Sequence, residues 1–330
     1  MFFPRRALLA AGLTGLALCS GASAQAPMPA NWPAKPITIV FPFTSGGPAD
    51  NEFRHLQPRL QESLGQQFLF DFRVGAASAI GTAYVAKAAP DGYTLLLHNA
   101  GFAVHPNFYP DLPYNIQTSF DPVTQISGGA TIVMVSVAGL PSVNSIADLT
   151  AWGKSNPDKL HCNTAGQGGV THILCAALSG AIGVPITAVH YKGVSQGQVD
   201  LIAGRTQVSA GTLFAALPQI RAGKIRPIAA LNPERSKLFP ELRTTYEQGT
   251  DVEYPNWHAL FAPAGTPPAI INRLYTEIAR VTRLPEVAAG MEKLGTSPVG
   301  SPPEVFRKRL AVEIARWRKV IQDHKITAAE

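Results

Sequence analysis

The feature that most constrains this chain is the regular exchange of short, β-branched apolar runs with helix-length periodic segments. Strand-like runs fall at Ile37–Phe41, Gln67–Asp71, Thr94–His98, Ile132–Val137, Lys159–Asn163, Thr187–His190, Thr206–Ser209, Ile225–Leu231 and Trp257–Ala262. Helical periodicity fills many of the gaps, as at Gly81–Ala88, Ile146–Lys154, Thr171–Ile182, Gln196–Ala203 and Leu213–Ala222. This alternation predicts an α/β fold on mainly parallel sheets. In such sheets ligands sit where strand ends run into helix N-termini. After Trp257–Ala262 the pattern changes to two helical segments, Ala269–Thr282 and Pro303–Lys325, which are expected to return and buttress the first domain.

One stretch shows the logic at residue level. Ile37–Phe41 is a buried-strand run that Pro42 ends; Thr44, Ser45, Gly46 and Gly47 then form a small polar turn. Pro48 suits the first helical turn, where its missing N–H costs nothing. Phe53, Leu56, Leu60 and Leu64 give that helix a buried face. A loop of free amides at a helix N-terminus suits an anion, although a tight turn with no ligand has the same residues. Asp50 reads either as a ligand contact or as a helix-end charge with a structural partner. Phe43 and Trp257 read as hinge or core aromatics rather than stacking platforms.

The first 24 residues have the form of a cleaved export signal. Arg5 and Arg6 precede an apolar run from Ala7 to Leu18, and Ala22, Ser23 and Ala24 make a small-residue cleavage pattern. The arginine pair leaves a twin-arginine route open beside the general one. No later stretch has the length and composition of a membrane span. Removing Arg5 and Arg6 lowers the formal charge from +6 to +4, with 26 Lys and Arg against 22 Asp and Glu. That balance, without a dense basic cluster, argues against nucleic acid as a partner; Arg316, Arg318 and Lys319 read as a solvated helix face. At this length two domains are expected, and the chain reads as a monomer. Cys162 and Cys175 survive signal removal and read as buried thiols rather than a disulfide, one at a strand end and the other inside a helix. Neither has a second Cys or His at zinc-ligand spacing, so no metal is expected.

Other strand ends repeat the small, polar chemistry: Arg73–Gly81, Asn99–Phe102, Asn163–His172 and Tyr191–Gly193. Such loops let a backbone approach a ligand and supply N–H donors. Gly193, Ser195 and Gly197 fit a G-x-S-x-G nucleophile pattern, with Asp251 and His258 following in hydrolase order. However, Tyr191 and Lys192 stand where an apolar strand is wanted, and Asp251 lies only seven residues from His258. Phosphate-loop and dinucleotide glycine spacings are absent.

An ordered series of short motifs runs through nearly the whole chain beyond residue 30. It comprises Trp32-Pro-Ala-Lys-Pro-Ile37, Pro42-Phe-x-x-Gly-Gly-x-x-Asp50, Arg73-x-Gly-Ala76, Pro90-Asp-Gly-Tyr-Thr94, Asn156-Pro-x-Lys-Leu160 and Gly166-x-Gly-Gly-x-x-His172. Tyr191-Lys-Gly193, Asp200-Leu-x-x-Gly204, Glu247-x-Gly249, Trp257 and Ala262-Pro-Ala-Gly-Thr-Pro267 complete it. The series resembles the solute-binding proteins of tripartite tricarboxylate transporters, the TctC-like or Bug family. That resemblance implies a type II periplasmic-binding-protein fold, with two α/β lobes and a ligand cleft between them. Lobe 1 would comprise 27–130 and 256–330, and lobe 2 131–255. It further implies a periplasmic receptor that closes on a small carboxylate and delivers it to membrane permease subunits, without cofactor or catalysis. A sensor protein as the partner, or a Ser195-based hydrolase, are the alternatives. The implied ligand contacts are Phe43, Thr44, Ser45, Gly46, Gly47, Asp50, Ala77, Ser78, Asn99, Thr164, Ala165, Gly166, Gln167, Gly168, Gly169, Thr171, Tyr191 and Gln207. Phe72, Val74, Ala77, Ser78 and Ala79 depart from the family's usual Asn-Arg-Pro-Gly-Ala-Gly-Gly-x-Ile-Gly. Gln207 replaces a common Asp, which is expected to favour a neutral or anionic distal group over an amine.

Overall fold

The computed structural model describes residues 31–323, apart from 108, 110, 167, 168, 192, 237 and 238. The export signal, Gln167, Gly168 and the expected end of the last helix at Lys325 therefore lie outside the described residues. In chain order the first part comprises β1 (Ile37–Phe41), α1 (Pro48–Leu64), β2 (Phe68–Phe72), α2 (Ala79–Ala86), β3 (Thr94–Asn99) and β4 (Phe120–Gly129). Next come β5 (Thr131–Ser136), α3 (Ile146–Ser155), β6 (His161–Thr164), α4 (Val170–Ile182), β7 (Thr187–His190), α5 (Val194–Ile202), β8 (Val208–Thr212), α6 (Leu213–Arg221) and β9 (Ile225–Ala230). The chain then returns through β10 (Asn256–Pro263), α7 (Pro268–Thr282), α8 (Pro285–Lys293), β11 (Thr296–Pro298) and α9 (Pro303–Asp323). These elements build a two-lobe α/β fold.

The strands form two sheets, ordered β11-β4-β10-β3-β1-β2 and β7-β6-β8-β5-β9. The expectation of mainly parallel sheets is corrected. β1 pairs in parallel with β2 and β3, and β6 with β7 and β8, whereas β10 is antiparallel to β3 and β4, and β5 to β8 and β9. The reason is directional. β3 and β8 end at the cleft between the lobes, while β5 and β10 bring the chain in from the other lobe and so begin there. A strand that starts where its neighbours end must run against them. Asn232 braces the first crossing: its Oδ1 accepts from Thr131 N–H at 2.8 Å and its Nδ2 donates to Gly129 O at 2.9 Å.

Strand alternation divides the first lobe's core. Ile37, Ile39, Phe41, Leu95, Leu97, Leu260 and Ala262 pack under α1, α7 and α8. Val40, Leu96, Trp257, Ala259 and Phe261 face α9. There the Trp257 indole N–H donates to Glu313 Oε2 at 2.8 Å, and Arg309 Nε donates to Glu313 Oε1 at 2.7 Å. Burial raises the Glu313 carboxyl above its usual range, against the opposing pull of Arg309. Trp257 is fully buried, as a core aromatic.

The thiol reading is also corrected: Cys162 and Cys175 form a disulfide. α4 folds back over β6, so the strand's second residue meets the helix's sixth, with Cα atoms 6.1 Å apart. Strand and helix read separately do not reveal that return. Closing a loop of 13 residues restricts the unfolded chain by about 3 kcal/mol. The double variant Cys162→Ala/Cys175→Ala is expected to lose about that much stability in urea unfolding. In the protein without residues 1–24, which include Cys19, alkylation and mass measurement should find no free thiol until it is unfolded in reductant.

Candidate functional site

Two cavities of about 250 and 200 Å³ lie at the strand ends between the lobes and share Asn99, Thr212 and Asn256 in their walls. They form one cleft. On the first-lobe side its walls include Phe43, Thr44, Gly47, Pro48, Ala49, Asp50, Gly129 and His258. On the second-lobe side they include Asn163, Thr164, Ala165, Val170, Thr171, Gly197, Gln198 and Ser209.

Each wall is built around a helix start. α1 and α4 begin after Gly47 and Gly169, and neither helix has a side-chain cap on its first-turn amides. Those N–H groups, with the positive end of the helix dipole, make the cleft a site for negative charge. Gly46 turns the first loop at φ +79°, a conformation that suits glycine. In the second loop Thr171 Oγ1 accepts from Ala165 N–H at 2.8 Å. Thr164 Oγ1 lies 2.7 Å from His190 Nδ1.

Asp50 is held by structural partners. It is 2 % exposed; Arg54 Nε lies 2.8 Å from its Oδ1, and Oδ2 accepts from Gly46 N–H at 2.7 Å and Ser45 Oγ at 3.2 Å. Its carboxylate thus orders the Thr44–Gly47 turn while one edge remains at the cleft wall. Ser45 and Gly46 serve that turn and do not line the cavities. Phe43 does line the cleft and packs edge-on against His98, with ring centroids 5.1 Å apart.

Several expected contacts do not line the cavities. Ser78 is buried away from the cavities, its Oγ 3.0 Å from His98 Nε2 and 3.3 Å from His105 Nδ1. It adopts a left-handed backbone at φ +79°. The side chain of the neighbouring Ala77 lies outside the described residues. Tyr191 donates from its hydroxyl to Asp200, which Arg205 also holds. Burial and the Asp200 hydrogen bond push the Tyr191 phenol up to about 12. Gln207 stands just before β8, at the end remote from Thr212, where its Oε1 accepts from His161 N–H at 3.1 Å and its Nε2 donates to Gly204 O. Along five strand residues that is about 17 Å from Thr212, and Gln207 lines neither cavity. Gly166 and Gly169 shape the loop without lining it.

Residues missed by sequence reading cluster at the crossings: Gly129, Ala130, Thr212, Asn256 and His258. Their signal was positional: Gly129, Ala130, Asn256 and His258 adjoin a change of sheet, and Thr212 ends β8 opposite Thr131, beside the first of them. Among the described residues, no group of three His, Cys, Asp or Glu could hold a metal ion, and no helix is long and apolar enough to cross a membrane.

The sequence from residue 52 to 326 matches the model of the tripartite tricarboxylate transporter family receptor. The chain belongs to this family. BugT of Bordetella pertussis is 34% identical to it, covering 88% of this chain and 90% of BugT. A structure of an R. palustris protein with adipate is 33% identical, with a TM-score of 0.76, covering 90% of this chain and 99% of that one. MatC from Rhodopseudomonas palustris, with bound malate, is 27% identical at TM-score 0.72, covering 88% and 100%. Receptors of this family are periplasmic.

The histidines behind Phe43 give the receptor an acid limit. Burial lowers His105 from 6.5 to about 4, and burial with the nearby His105 holds His98 well below its usual value. Unfolded histidines accept protons near 6.5 and these folded ones resist, so stability is full above about 6.5 and falls as pH drops toward 4. For His105 the loss is about 3 kcal/mol over that window. Urea unfolding at stepped pH should show the decline, and His105→Gln should remove its share of the slope.

Proposed function

We propose that this receptor captures a small organic anion carrying at least one carboxylate, by closing its two lobes over it. It then presents the closed form to the permease subunits of a tripartite tricarboxylate-type transporter. The carrying observation is the pair of uncapped helix starts, at Pro48 and Val170, on opposite walls of one cleft. A carboxylate held by both sets of amides favours the closed form, because only closure assembles both. The relatives solved with adipate and malate support the same ligand class. In this reading 27–130 with 256–330 forms one jaw and 131–255 the other, and export removes the segment up to about Ala24.

The site binds rather than reacts. Ser195 is exposed at the start of α5, Asp251 is paired with Arg316 on the surface, and His258 is engaged by Glu52 and Ser127. These positions do not assemble the hydrolase arrangement that the Ser195 pattern requires. The ligand contacts proposed from the sequence that fit the cleft are Phe43, Thr44, Gly47, Asp50, Asn99, Thr164, Ala165 and Thr171.

A thermal-shift panel of mono-, di- and tricarboxylates, amino acids and neutral analogues tests this reading. A cognate carboxylate at a hundredfold over its dissociation constant should add about 2.7 kcal/mol of stability. Small-angle scattering should show compaction with the same compound. A shift produced only by neutral solutes or amines would refute the assignment.

A further inference from the structure

Under the cleft floor lies a buried charge cluster that the binding site has not used. Glu52 on α1 is 1 % exposed. Its Oε2 accepts from Ser127 Oγ on β4 at 2.5 Å and lies 3.0 Å from His258 Nδ1 on β10. Its Oε1 has no hydrogen-bond partner. A carboxylate buried this deeply stays ionised only beside a cation and donors.

The groups facing this pair leave one cation available. On α1, Asp50 is already matched by Arg54. From β3, His98 is kept neutral by burial. On β4, Gln125 Nε2 is committed to Ser127 O, and Arg309 of α9 is committed to Glu313 and Gln125 Oε1. Asn256 and Thr296 complete the wall near His258 and carry no charge. Ser127 and Glu52 both meet Nδ1, so this is not a Ser-His-Glu nucleophile arrangement, which needs serine on the other ring nitrogen. The Nε2 of His258 has no hydrogen-bond partner among the described residues, and the ring forms part of the cleft wall. Of the other ionisable residues lining the two cavities, Asp50 is paired with Arg54 and Tyr254 is held protonated by burial.

We propose that Glu52 holds His258 as an imidazolium whose Nε2–H is the charged donor to a carboxylate of the ligand. Glu52 is the positioning residue and His258 the specificity-determining one. This rests on the carboxylate reading above. It implies that the first-lobe half of the cleft prefers an anionic group, and that affinity falls toward alkaline pH.

Calorimetry of the purified protein against the carboxylate panel between pH 6 and 9 tests this, with nitrogen NMR of labelled histidine in the free protein. A bound carboxylate should lose about 10- to 100-fold in affinity with His258→Gln, the worth of a charged hydrogen bond. Glu52→Gln should move the alkaline fall in affinity to lower pH. If the wild type binds a carboxylate and His258→Gln leaves affinity and pH profile unchanged, the carboxylate reading stands and this inference falls. If only neutral solutes bind, both fall. A neutral His258 ring in the wild-type protein at pH 7 overturns the inference whatever the ligand, and needs no variant to fold.

Discussion

Strand β10 is the constraint on which the rest of the structure depends. It re-enters the first lobe from the second and inserts between β3 and β4, so the sheet is incomplete until the chain has built the other lobe and returned. Its alternation then assigns work to both faces. Trp257, Ala259 and Phe261 point toward α9, where Glu313 accepts the Trp257 indole N–H. Leu260 and Ala262 point toward α1 and α7, and His258 on that same face meets Glu52. One strand therefore locks the C-terminal helix, completes a core and sets an ionisable ring at the cleft. Contacts this distant in sequence form only after costly loop closure, so completion of the first sheet waits on the return of β10.

Much of the fold was legible because buried strands must be apolar and buried helices periodic. Ile37–Phe41 and Thr187–His190 coincide with β1 and β7, and the helices starting at Ile146 and Leu213 begin where periodicity placed them. β4 was not legible. Phe120–Gly129 contains Pro122, Thr124, Gln125, Ser127 and two glycines, a composition that reads as loop. It is a strand because β10 and β11 flank it and satisfy its backbone. β11 and α8 were hidden for the same reason: short elements take their conformation from neighbours more than from propensity.

The candidate site divides similarly. Loops entering helix starts were readable, since glycine and small hydroxyls before an apolar period have few other uses. Residues whose role depends on a third partner were not. Ser78 sits in a ligand-like loop but is taken by His98 and His105, and Tyr191 by Asp200. Gln207 lies off the cavities for a different reason: proximity to a strand is not proximity to its carboxyl end, and Gln207 precedes β8. In the opposite direction, Glu52 looks like an ordinary helix-surface acid until α1 docks it against β4 and β10.

The balance of charge in the cleft has a consequence for selectivity. Backbone amides at two helix starts attract any small anion, and their geometry alone discriminates weakly between ligands of similar length. A free arginine would strengthen binding, but it would also bind phosphates and sulfates through the same fork. In this cleft the arginine nearest the first helix start, Arg54, is spent on Asp50, which in turn orders the loop that carries the amides. Beside the His258 ring proposed above, positive potential is thus delivered by fixed dipoles, which cannot swing to follow a wrong ligand. Under the closure reading, His258 selects for charge and the spacing of the two sets of amides selects for length, so a carboxylate of unsuitable length would engage one wall and leave the other unsatisfied.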